Sequence, residues 1–67
     1  MPFVNIKITK DGATSEQKAR LIKGVTDLLV ETLDKNPASK VVVIEEVDTD
    51  SWGIGGESVT VRRSKES

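Results

Sequence analysis

Residues 41–47 read Val41-Val42-Val43-Ile44-Glu45-Glu46-Val47. An unbroken β-branched run of this kind predicts a strand covered on both faces. Working outward, residues 3–9 alternate Val4, Ile6 and Ile8 with Asn5, Lys7 and Thr9, the pattern of a second strand with one apolar face. Between the two lies a helical stretch. Thr14-Ser15-Glu16-Gln17 fits a capping box, and Ile22, Val25, Leu29 and Leu33 recur at helical spacing, with Leu21 and Leu28 widening the stripe. Glu16 and Arg20 stand four apart as a favourable pair. Asn36-Pro37 is the expected end of this helix, since proline disfavours helical geometry in the residue before it. Strand, helix and strand make one β-α-β unit with parallel strands and a right-handed crossover. After a polar loop, Trp52-Gly53-Ile54-Gly55-Gly56 predicts a turn leading into a hairpin, with Ser58-Val59-Thr60-Val61 as a short strand. The fold class is α/β (α+β): a single β-α-β unit with a C-terminal β-hairpin, assembled as an oligomer. Residues 1–63 form the domain and 64–67 a frayed tail.

The oligomer follows from size. A chain of 67 residues buries only about 60% of the surface its unfolded form exposes, so it is marginal alone. With no Cys and no His, it has neither disulfides nor a zinc site of the usual ligands to support it. One helix over two strands also leaves a sheet face and two edges open to another copy.

Ten basic and eleven acidic residues give a net charge of −1, which does not suit a nucleic-acid binder. The longest apolar run, Val41 to Ile44, falls far short of the roughly 20 residues that span a bilayer. Met1-Pro2-Phe3 has no signal-peptide pattern, so the expected location is the cytoplasm, with no membrane partner.

The missing residues also narrow the chemistry. Without His or Cys there is no imidazole base and no Cys-His or Ser-His pair. Carboxylates, lysines and the amino terminus remain. If Met1 is removed, Pro2 becomes a free secondary amine. Ordinary α-amino groups titrate near about 7.7–8.0 and a secondary amine starts higher, so a neutral-pH base needs apolar burial or nearby cations to lower it. Phe3, Trp52 and Ile54 can supply an apolar wall. Glu45 and Glu46 are adjacent in a strand and so point to opposite faces. Arg62 and Arg63, read as strand residues, do the same, and either can reach a neighbouring subunit.

Pro2-Phe3-Val4, Thr14-Ser15-Glu16-Gln17-Lys18, Val42-Val43-Ile44-Glu45-Glu46-Val47 and Trp52-Gly53-Ile54-Gly55-Gly56-Glu57 together resemble the short-chain 4-oxalocrotonate tautomerase family over roughly residues 2–63. That resemblance implies a homohexamer, catalysis without metal or cofactor, and an amino-terminal proline that moves a proton in a 2-hydroxydienoate to give a conjugated 2-oxo acid. The small-molecule partner is then a 2-oxo acid or its enol, and Pro2 is the catalytic residue. Trp52 occupies the aromatic position lining the pocket, with Ile54 beside it. The family's two substrate-holding arginines are replaced by Ala13 and Val41. Lys40 and Arg62 are the substrate-binding candidates in their place, with Lys10 and Arg63 as further cations. The alternative is a non-catalytic homo-oligomer that kept the fold and lost its activity with those arginines.

Overall fold

The computed structural model describes residues 2–66. Strand β1 (Phe3–Thr9) and strand β2 (Val41–Val47) pair in parallel, in register from Phe3 opposite Val41 to Thr9 opposite Val47. Helix α1 (Ser15–Thr32) connects them, completing the expected β-α-β unit. Residues paired across a parallel register share a face, so Val4, Ile6, Ile8, Val42, Ile44 and Glu46 form one side of the sheet. The ion pair between Lys18 of α1 and Glu46 identifies it as the helix side. Glu45 points the other way, where it accepts from Lys7 and Asn5, so the two adjacent glutamates do diverge.

The start of α1 is the predicted capping box. The Gln17 amide donates to the Thr14 hydroxyl at 3.1 Å, and the Thr14 amide donates to the Gln17 side chain at 2.9 Å. The helix ends sooner than the proline rule predicts. Thr32 is its last residue, Leu33 is the cap, and Asn36 instead caps a short 3-10 turn over Pro37–Ser39. Beyond the helix Asp34 accepts the Asn36 amide at 3.0 Å, and the Lys40 ammonium gathers Asp34, the Asn36 carbonyl and Ser39, so the polar groups of this connection are satisfied outside the helix.

The hairpin is present. Strand β3 (Gly53–Ile54) pairs antiparallel with β4 (Glu57–Ser58) across the two-residue turn Gly55-Gly56. Both glycines have positive φ, +61° and +90°, the backbone that a tight hairpin of this twist demands. The expected strand over Ser58–Val61 is corrected. Only Ser58 is extended, and Val59–Glu66 forms helix α2, which also takes in residues 64–66 of the expected tail; Ser67 lies outside the described residues. The Val59 amide donates to the Trp52 carbonyl at 2.8 Å and the Ser58 hydroxyl accepts the Val61 amide at 3.2 Å. These contacts, with Arg63 and Lys65 near the helix's negative end, outweigh the β-branched Val59-Thr60-Val61 pattern.

Among the described residues, Val59 is the only buried apolar side chain. Phe3 is 65% exposed, Leu28 61% and Leu33 60%. The radius of gyration is 15.4 Å, against roughly 11 Å for a compact chain of this length. The odd-numbered sheet face presents Phe3, Val41, Val43 and Val47, while α2 packs on the 49–51 turn and β4 instead of on the sheet. A single chain therefore lacks a core, and its apolar surfaces are those of a subunit. No helix among the described residues is long and apolar enough to cross a membrane.

Candidate active site

The candidate residues fall at two ends of the sheet. At the start of β1, Pro2 is half-buried, and its carbonyl accepts the Val41 amide at 3.2 Å. That bond uses the carbonyl and fixes the residue without involving its nitrogen. Lys40 stands next to this contact, with its side chain fully covered. Its ammonium donates to Asp34 Oδ1 at 2.6 Å, the Asn36 carbonyl at 3.0 Å and the Ser39 hydroxyl at 2.9 Å. An ammonium has three protons, and all three are used. The structure thus puts Lys40 to work holding the 34–40 connection, a use different from the expected grip on substrate. The Lys40 ammonium and the Asn36 amide together hold the Asp34 carboxyl below its ordinary range.

At the opposite end stand Trp52, Ile54 and Arg62. Trp52 is half-buried where the 3-10 turn of residues 49–51 meets β3, and its carbonyl anchors α2 through Val59. Ile54 is 48% exposed on β3. The Arg62 guanidinium lies over the hairpin, 3.9 Å from where a Cβ on Gly55 would sit, and it makes no ion pair among the described residues. Seven strand residues at about 3.3 Å each put Pro2 more than about 20 Å from this group. The chain therefore brings Trp52, Ile54 and Arg62 together but leaves Pro2 and Lys40 apart from them.

Arg63 takes a role that strand alternation did not suggest. On α2 its fork grips Asp11, Nη1 to Oδ1 at 2.6 Å and Nη2 to Oδ2 at 3.0 Å, while the Thr9 hydroxyl donates to the same carboxylate. It pairs within its own chain, although the sequence left it able to reach a neighbouring subunit. The pair ties the turn after β1 to the C-terminal helix. The Arg63 fork and then the Thr9 hydroxyl bring the Asp11 carboxyl down to about 2. A carboxyl lowered on folding stabilises the fold above its unfolded value and loses that contribution as pH falls through the folded one. Asp34 and Glu45 are shifted in the same direction. Urea midpoints are therefore expected to fall between about pH 4 and pH 2. In Asp11→Asn this drop should be visibly smaller; an identical acid profile in that variant would contradict the assignment.

Asp34 and Asp11 were not singled out in the sequence: the Arg63 partner of Asp11 lies 52 residues away, and the Asn36 and Lys40 partners of Asp34 sit in a stretch read only as the end of the helix. Among the described residues, no group of three or more His, Cys, Asp or Glu side chains is placed to hold a metal ion.

Taken together, the parallel strand pair, crossing helix and glycine hairpin define a small α+β protein built on one β-α-β unit. The chain belongs to the tautomerase family: residues 2–62 match the family described as tautomerase enzyme. It is 72% identical over 67 residues to a probable tautomerase from Dickeya dadantii, covering all of both chains. The crystal structure of DmpI from Helicobacter pylori superimposes with a TM-score of 0.84 at 54% identity, covering 94% of this chain and 97% of that one. A heterohexameric 4-oxalocrotonate tautomerase from Chloroflexus aurantiacus does so at 0.80 with 28% identity, covering 90% and 95%.

Proposed function

We propose that this chain is a cofactor-independent, cytoplasmic tautomerase in which Pro2, freed by removal of Met1, acts as the general base on a 2-hydroxydienoate or related enol of a 2-oxo acid. The observation carrying this reading is the family match that spans residues 2–62, joined to a sequence with no His and no Cys to serve instead. The Pro2 nitrogen takes the hydroxyl proton of the enol. The O–H electron pair becomes part of the new C=O, the double bonds shift, and the far carbon takes the proton back from the prolyl ammonium. The base is restored and no electrons leave the substrate.

The separation of Pro2 from Trp52, Ile54 and Arg62 fits a site made by two copies, with Pro2 of one chain facing the hairpin end of another. A homohexamer, in line with the hexameric Chloroflexus relative, is the assembly we assign. Trp52 and Ile54 then wall the pocket and help lower the basicity of the amine, and Arg62, which makes no ion pair among the described residues, faces the substrate's 2-oxo oxygen.

Intact-mass measurement beside an assay on 2-hydroxymuconate and phenylenolpyruvate tests this reading. Protein lacking Met1 is expected to turn over at least one of the two. Preparations that retain Met1, where the Pro2 nitrogen is an amide, are expected to show background rates. Equal rates in both forms would remove Pro2 as the base, and background rates in both would favour the non-catalytic homo-oligomer.

A further inference from the structure

A second feature lies on α1. Gln17, Arg20 and Leu21 share one helix face, and with Ala13, just before the Thr14 cap, they line an open groove of about 460 Å³. This volume is within the range of small-molecule sites, about 300–1,000 Å³. The groove's frame is fixed from two directions, by the capping box at Thr14 and by the Asp11–Arg63 fork that holds the preceding turn.

The charges along α1 single out Arg20. Lys18 is paired with Glu46 and Lys23 with Asp27, whereas Arg20 makes no ion pair among the described residues, and the expected contact with Glu16 is not formed. The Gln17 carbonyl oxygen is committed to the Thr14 amide, which leaves its NH2 as a donor. A guanidinium fork and an amide donor beside Ala13 and Leu21 suit a carboxylate carried on a small apolar body.

We propose that this groove is a carboxylate-binding site and that Arg20 is the side chain holding the anion, supplying from the helix the cation that the turn lacks at Ala13. The identity of the ligand as a 2-oxo acid rests on the tautomerase reading above. The groove lies at the N-terminal end of α1, beyond the Thr9 end of the sheet and away from Pro2 of its own chain, which fits a base supplied by a second copy.

Calorimetric titration of the assembled protein with phenylpyruvate, and with benzyl methyl ketone as its uncharged counterpart, tests the site directly. Arg20→Gln is expected to weaken phenylpyruvate binding by about tenfold or more, the effect of one lost charge-assisted contact, and to leave the ketone unchanged. Arg20→Lys should recover only part, because a point charge does not replace a fork. In the assay the same variants should raise KM with little effect on kcat. Unchanged affinity in Arg20→Gln, or no detectable phenylpyruvate binding to wild type, would overturn the proposal. Pro2→Ala separates the two readings: it is expected to bind phenylpyruvate as wild type does. Should Pro2→Ala keep full activity while Arg20→Gln loses binding, the base assignment fails and the groove stands.

Discussion

Pro2→Ala, with its initiator Met removed, is expected to lower kcat/KM on an enol substrate by about 10²–10⁴-fold, the usual contribution of a positioned general base. The structure makes this substitution informative. The contact Pro2 makes with β2 uses its carbonyl, which alanine retains, so the sheet can form as before. Only the secondary amine and its ring are lost. A primary amine remains, but on a backbone no longer fixed in φ by the pyrrolidine. The loss should therefore appear in kcat, with the circular dichroism spectrum and oligomer size unchanged. Rates within about twofold of wild type would end the assignment.

The second large effect is expected on the odd-numbered sheet face. Val43 sits at its centre, opposite Asn5 in the register and between Val41 and Glu45. Among the described residues no helix covers that face and no alternative core is buried. Val43→Lys would place an ammonium in a surface meant to be covered, where an unpaired charge costs on the order of 3–5 kcal/mol. That is comparable with the whole stability of a small domain, about 5–15 kcal/mol. Light scattering is expected to show loss of the assembly, and circular dichroism loss of helix with it. Lys23→Ala, which changes an exposed pair on α1, serves as the control and should keep both. A Val43→Lys protein of normal size and normal unfolding midpoint would show that this face stays open.

What the sequence made legible was local. The alternation in β1, the β-branched run of β2, the capping box at Thr14 and the paired glycines at 55 and 56 each act over a few residues, and each forms the element read from it, although the expected cover on both faces of β2 is not supplied by this chain alone. Val59–Glu66 was misread because its first three residues are β-branched or alternating, while the bond that turns them into a helix comes from Trp52. The early end of α1 was hidden too: Pro37 was visible, but the polar contacts that replace helical ones in residues 34–40 were not. At the site, composition eliminated rivals and resemblance pointed to Pro2 and Trp52. Neither could show that the two stand at opposite ends of one chain, nor that Arg63 spans 52 residues to reach Asp11 while Arg20 makes no ion pair among the described residues.

The scarcity of buried side chains has a kinetic consequence. A chain in which Val59 is the only fully buried apolar residue among those described has little to gain by folding in isolation, so acquiring structure and meeting its partners become one event. Refolding then follows a rate law of higher than first order in chain, and native protein is lost on simple dilution, without denaturant. For such a molecule the amount made is itself a determinant of whether any of it is folded.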